Sequence, residues 1–240
     1  PSTVLARPRL DESRARPQRG VVTAPAPNTP SVTVPYLMVA TMVSVVASTI
    51  YVPSLPSIAT SLGTSATMAQ FSLTAFVLTF GIVQLWHGPA SDRLGRYRVL
   101  AGSLVVFIIG TAVCAVAPSI ELLITGRVLQ GLGAAGVGVL PRAIARDQFG
   151  HEASARVFTY LSMAASAAAT VSPVIGGGLE GLTGSWRLSF VFLALLALWV
   201  LFLTARRAPL LATGSIERPT GVSGYIADYW SLMRRAPFAF

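Results

Sequence analysis

Residues 86–98 read WHGPASDRLGRYR, and they set Asp92, Arg93, Arg96 and Arg98 between two long apolar runs. Gly88 and Gly95 bracket this stretch and predict a tight turn at which two helices come together. Asp92 falls where a carboxylate can cap or charge-pair a helix end, and Arg93 and Arg96 can bridge to other acids. Asp147 is the acid best placed in the sequence to meet them. A salt bridge there would act as a latch that breaks and re-forms as neighbouring helices rock. The plainer alternative is a basic loop that needs only its arginines. A second charge is more unusual. Arg127, in LLITGRVLQGLGAAG at 122–136, lies about six residues inside an apolar stretch, ~9 Å along a helix. A central Arg costs roughly 2.5–3.5 kcal/mol to insert, whereas each Leu, Ile or Val returns about 0.3–0.6, so the stretch inserts with little surplus. Arg127 therefore either faces a water-filled cavity as a functional charge or is a structural charge bonded to neighbours such as Gln130 or Tyr51.

The rest of the titratable inventory is sparse. The acids are Asp11, Glu12, Asp92, Glu121, Asp147, Glu152, Glu180, Glu217 and Asp228, and none falls in the middle of an apolar stretch. Hydrolytic or redox chemistry calls for clustered His, Cys or carboxylates, but the two His and the single Cys are scattered. The expectation is no enzyme, no metal site and no cofactor. Cys114 reads as a packed structural thiol, since it lies in an apolar run with no partner for a disulfide. His87 beside Trp86 reads as an interfacial polar side chain, with titration as the sharper alternative.

The elements that must hold these residues are membrane spans. The chain is 53% hydrophobic and 11% charged, against about 25% charged in soluble domains, and its mean hydropathy is +0.65. The bilayer is the expected solvent. A net charge of +9 would ordinarily suggest nucleic acid, but the arginines alternate with apolar stretches instead of clustering on one polar domain, so that partner is excluded. Six stretches reach the roughly 20 residues needed to span: 34–53, 68–90, 99–117, 119–143, 157–179 and 188–205. The predicted fold is an all-α transmembrane six-helix bundle over 34–205. A disordered basic tail occupies 1–33, a loop with an amphipathic segment 206–233, and the start of a seventh helix 234–240. With the tail inside, sixteen of eighteen arginines are cytoplasmic, leaving Arg187 outside and Arg127 within a span. The positive-inside rule thus places both ends in the cytoplasm.

Spans three and six are apolar on every side and predict lipid-facing, peripheral helices. Spans two, four and five carry polar or small residues at helical spacing, so spans one, two, four and five should form the inner face. The inner, inner, outer order occurs twice, as a three-plus-three repeat would give. Tyr51, Gln70 and Thr74 are candidate cavity-lining residues.

The arrangement Gly88-x-x-x-Asp92-Arg93-x-Gly95-Arg96 resembles the cytoplasmic signature between helices two and three of the major facilitator superfamily. Arg127, Gln130, Gly131 and Gly133 are similar to that family's helix-four signature. SPVIGGG at 172–178 resembles its helix-five antiporter signature, with Pro173, Gly176 and Gly177 in place and Ser172 where the family has glycine. YVPSLPSIATSLG after span one is similar to the drug:proton antiporter branch that exports bicyclomycin and chloramphenicol. The resemblance implies half of a twelve-helix secondary transporter in a bacterial inner membrane, cut at the seventh helix and lacking a C-terminal half. Its function would be proton-coupled efflux of drugs or other small molecules by alternating access. It also implies a role for Arg127 in proton or substrate coupling, and an interface between the helix-five motif and the second half that limits proton leak. The acid that relatives in this branch carry just before Tyr-x-Pro is here Thr49. A coupling carboxylate must then lie elsewhere in the full protein, or be Glu180, or coupling differs. An exporter of an amino acid, sugar or other metabolite is the alternative substrate reading, and a non-transporting scaffold is the alternative class.

Overall fold

The computed structural model describes residues 33–207. The basic tail, the central loop with its amphipathic segment and the start of a seventh helix fall almost wholly outside them. Within them the chain is helical throughout and forms six membrane spans. The first is broken: α1 (Thr33–Thr49) passes through a single 3-10 turn (Val52–Ser54) into the short α2 (Leu55–Ser61). Pro53 and Pro56 occupy the first turns of those two short elements, where a missing N–H costs nothing but a continuing helix is impossible. Next come α3 (Ala66–Leu94) and α4 (Arg96–Val116). A helical stretch over Ile120–Thr183 then breaks at Gly150, whose φ of 70° and ψ of −175° separate α5 (Ile120–Gly150) from α6 (Glu152–Thr183). The last is α7 (Arg187–Arg207).

These helices run past the apolar stretches that mark them. α3 has 29 residues and is about 43 Å long, against a hydrocarbon core of about 30 Å. This corrects the expected turn at 88–95. Gly88, Pro89, Asp92 and Arg93 all lie inside α3, and only Gly95, at φ 92°, makes the turn.

The bundle is built on α5, the most enclosed span. Its glycines fall on two faces seven residues apart. Gly131 and Gly138 admit α3: a Cβ at Gly131 would meet the Phe76 carbonyl oxygen at 2.8 Å, and one at Gly138 the Phe80 ring at 3.1 Å. Gly126 and Gly133 admit α4, where added Cβ atoms would meet the Cys114 sulfur at 2.7 Å and the Ser103 carbonyl oxygen at 2.5 Å. α4 answers with Gly110, whose Cβ would lie 2.8 Å from the Gln130 Cα. Small residues of this kind are what let membrane helices bring their backbones together.

α4 is bound backbone to backbone against α5 and also contacts α7, while Val105, Ile109 and Val116 form an exposed apolar stripe on its opposite side. The spans least covered within the chain are α3 and α6. Gln70 and Thr74 on α3, and Ser162 and Ser166 on α6, are exposed. So are Phe71, Leu78, Leu85 and Trp86 on α3.

Candidate functional site

Arg127 follows Gly126, about two turns into α5, and is completely buried. Its Nη1 donates to the Ala47 carbonyl at 3.0 Å and to Gln130 Oε1. Ala47 lies in the last turn of α1, where carbonyls begin to run out of donors along the helix. The guanidinium therefore caps the broken end of the first span, at the negative pole of its dipole. Two aromatic faces enclose it, with Tyr51 and Phe76 centred 4.2 and 4.3 Å from the guanidinium carbon, and Phe190 lies farther off at 6.0 Å. A desolvated cation over a ring is stabilised by about 2 kcal/mol, so two rings together offset much of the cost of burial.

The site extends sideways as a hydrogen-bonded chain. Gln130 Nε2 donates to the Thr111 hydroxyl at 2.8 Å, and that hydroxyl donates to the Phe107 carbonyl at 2.7 Å, so the chain crosses from α5 to α4. On the other side the Tyr51 hydroxyl meets the Ser72 hydroxyl at 3.3 Å. Arg127 thus joins α1, α3, α4 and α5, with α7 contributing Phe190. Its Nε and Nη2 find no partner among the described residues. The guanidinium does not face an open cavity in this chain: its surroundings are backbone, amide and rings. Gly131 belongs to the same site because only a residue without Cβ lets α3 bring Phe76 onto Arg127. Of the candidate cavity residues, Tyr51 is in this wall, while Gln70 and Thr74 are on the uncovered face of α3.

The helix-five motif forms a second locus beside α1. Ser172 is buried and its hydroxyl lies 2.5 Å from that of Thr49. The two positions at which the sequence departs from the family pattern are therefore in contact with each other. A Cβ at Gly176 would collide with the Ile50 carbonyl oxygen, and one at Gly177 would reach Pro53 at 3.7 Å. The close approach made by Ser172, Gly176 and Gly177 is thus to the end of the first span within this chain, where the resemblance implied an interface with the second half; Pro173 lies inside α6, partly buried. The opposite face of α6 is open, with Val171 and Val174 exposed.

The charged stretch forms the third locus, at the end of the bundle where α3 ends, α4 begins and α5 ends. Arg96 is its centre. It pairs with Asp92 at 2.5 Å and with Asp147 at 2.8 Å, and its Nη1 donates to the Ser91 hydroxyl at 2.5 Å and to the Gly88 carbonyl at 3.5 Å. Arg93 is exposed on the last turn of α3. His87 is partly buried, with Nδ1 3.1 Å from the Val83 carbonyl, and packs where a Cβ at Gly136 would touch its ring at 2.6 Å. Sequence reasoning did not single out Phe76, Phe190, Thr111 or Ser91 as site residues. Thr111 alone carried a signal, since a hydroxyl within a very apolar span must find a partner. No metal-ligating cluster occurs among the described residues.

The family model described as Major Facilitator Superfamily matches residues 37–240. Multidrug resistance protein D of Escherichia coli K12 is 33% identical over 175 residues, covering 72% of this chain and 44% of that protein. An uncharacterized MFS-type transporter of Bacillus subtilis, YdgK, is 34% identical over 191 residues, covering 78% of this chain and 47% of its own length. A chloramphenicol resistance protein of Pseudomonas aeruginosa is 34% identical over 146 residues, or 60% of this chain and 35% of that protein. The chain spans about half the length of the first two of these relatives. A crystal structure of a peptide transporter in complex with sulfate shares the fold, with a TM-score of 0.65 at 16% identity over 84% of this chain and 43% of that one.

Proposed function

We infer that this chain, which belongs to the major facilitator superfamily, a family of membrane carriers and not of enzymes, supplies one half of a secondary transporter that exports drugs or similar small molecules by alternating access. The observation that carries the reading is Arg127, a full charge at zero exposure within a span, tied to the broken end of α1 and to three neighbouring helices. A charge so placed lets one site sense the position of several helices at once, which is what a carrier that moves between two conformations requires. The exposed polar and apolar faces of α3 and α6 support a second six-helix half covering them, with the substrate between the halves, Gln70 and Thr74 toward it, and Tyr51 behind them in the wall around Arg127. The Asp92–Arg96–Asp147 cluster then holds the cytoplasmic end closed in one state and opens in the other. Both chain ends are on the cytoplasmic side of a bacterial cell membrane.

The relatives named for multidrug and chloramphenicol resistance support drugs as the cargo and the bicyclomycin and chloramphenicol branch as the place of this chain. Protons are the proposed coupling ion. The acids among the described residues, Asp92, Glu121, Asp147, Glu152 and Glu180, all lie in terminal turns of their helices, so the coupling carboxylate belongs to the other half, or to Glu180. Drug accumulation in efflux-deficient bacteria expressing the full protein tests the reading. Arg127→Ala should abolish export with membrane abundance intact. Undiminished export by that variant would remove Arg127 from the mechanism, and no export of any drug by the unaltered protein would overturn drugs as cargo.

A further inference from the structure

Beside the ionic cluster lies a contact that the charged motif does not include. Arg96 of α4 meets Asp147 of α5, and the next residues along each helix meet as well: Gln148 Nε2 donates to the Tyr97 hydroxyl at 2.9 Å. Both pairs join positions 51 apart in sequence, so the start of α4 and the end of α5 are held by two consecutive rungs. The rungs differ in kind. The first is ionic, and the Asp147 side chain is 50% exposed. The second is uncharged, and both of its residues are partly buried.

We propose that Tyr97 and Gln148 form a second, uncharged rung of the cytoplasmic gate and that Tyr97 is its positioning residue. Successive residues on a helix point about 100° apart around its axis. α4 and α5 are locked backbone to backbone farther along, at Gly110, Gly126 and Gly133, but at this end the ionic rung alone would leave the first turn of α4 free to twist, and a second contact from the consecutive residue fixes its azimuth. The Tyr97 rung therefore holds the first turn of α4 in the rotation that presents Arg96 to Asp147 and Asp92. It also keeps the end closed when salt screens the exposed ionic rung. A neighbouring pair ties the same end of the bundle across α1 and α7: the Tyr36 hydroxyl lies 2.7 Å from the Thr204 hydroxyl, and the Arg207 guanidinium lies over the Tyr36 ring at 4.4 Å.

The proposal rests on the reading that this end opens and closes, and its test separates the two. Amide hydrogen exchange is followed at 95–99 in the full-length protein in lipid nanodiscs, at low and at molar salt. Tyr97→Phe removes only the hydroxyl. It should raise exchange there about two- to twelvefold, the range for one neutral hydrogen bond, and the increase should persist at high salt. Gln148→Met should act alike, and the double variant should exceed neither single one, because both remove the same bond. Exchange unchanged by Tyr97→Phe but raised by Asp147→Asn would overturn the second rung alone. Additive effects of the two substitutions, or equal increases at 112–116 at the far end of α4, would also overturn it. Exchange unmoved by Asp147→Asn and Asp92→Asn as well would overturn the gate itself.

Discussion

The chain Arg127–Gln130–Thr111 allows its two bonds to be weighed separately, with Cys114 as the reporter. Cys114 is the single cysteine of the sequence, lies one turn beyond Thr111 on α4, is fully buried, and faces Gly126 of α5. It reacts with a maleimide only when α4 parts from α5. Its labelling rate, when opening is fast relative to reaction, is therefore proportional to the population of that opening. Thr111→Val removes a neutral side-chain bond, and such bonds between membrane helices average about 0.6 kcal/mol because the separated helices find other partners. Labelling should rise roughly threefold. Gln130→Leu removes that interhelical bond and, within α5 itself, the acceptor of a guanidinium donor. The second loss leaves a buried cation short of a partner while α4 is packed and favours opening only as far as water reaches the guanidinium when α4 parts, so its charged bond of about 1.5–3 kcal/mol sets an upper bound. Labelling should therefore rise more than the roughly threefold of Thr111→Val and no more than about 400-fold. Ala47 remains as an acceptor for Arg127 Nη1, so the cost stays below that of a wholly unpaired charge. Labelling is measured on the purified full-length protein, with any cysteines beyond this chain replaced. If Thr111→Val opened the interface as much as Gln130→Leu, the loss of the guanidinium's acceptor would not be felt between α4 and α5 and this account of the site would fail.

Two further outcomes follow from contacts already described. Gly176→Ala puts a methyl group onto the Ile50 carbonyl oxygen, and overpacking of this kind costs about 1–3 kcal/mol. The variant should lose apparent melting temperature in detergent, while Gly178→Ala, where a Cβ meets nothing within 4 Å, should not; equal behaviour of the two would refute the α1–α6 contact. Asp147→Asn removes a half-exposed ion pair of about 0.2–1 kcal/mol, so it should open this end of the bundle no more than about fivefold, measured by exchange at 95–99. That effect should shrink at molar salt, and an effect that grew with salt would contradict an ionic rung.

The six spans were legible because twenty apolar residues between arginines leave little choice of structure. Their ends were less so. Apolar composition stops at the bilayer surface, whereas helical hydrogen bonding continues through Pro89 and Asp92 to Leu94, so of the expected turn between Gly88 and Gly95 only the Gly95 end is real. The ion-pair partner Asp147 could be named from charge alone, since few acids exist for Arg96 to meet. The wall around Arg127 was only half legible. Gln130 and Tyr51 were visible as polar neighbours, but Phe76 and Phe190 are ordinary residues for a membrane helix, and only three-dimensional packing assigns them to the cation. The glycines were read as permitting close approach without a direction. Their seven-residue spacing on α5 carries that direction, with Gly131 and Gly138 toward α3 and Gly126 and Gly133 toward α4.

The structural and functional readings of Arg127 need not compete. A charge that only stabilised the bundle could be satisfied within its own helix, as Arg142 is by donating to the Gly138 carbonyl at 3.0 Å. Arg127 instead reaches out of α5 to the terminal carbonyls of a broken neighbour, and its cation is held by rings from two other spans, α1's end and α3. Displacement of α1 relative to α5 must separate the guanidinium from the Ala47 carbonyl or carry Arg127 with it, and displacement of α3 must uncover one ring face. Either motion changes the solvation of a full charge in a medium where each lost partner is costly. The contacts that make the buried arginine affordable in this conformation are therefore the ones through which helix movement and charge stabilisation become coupled.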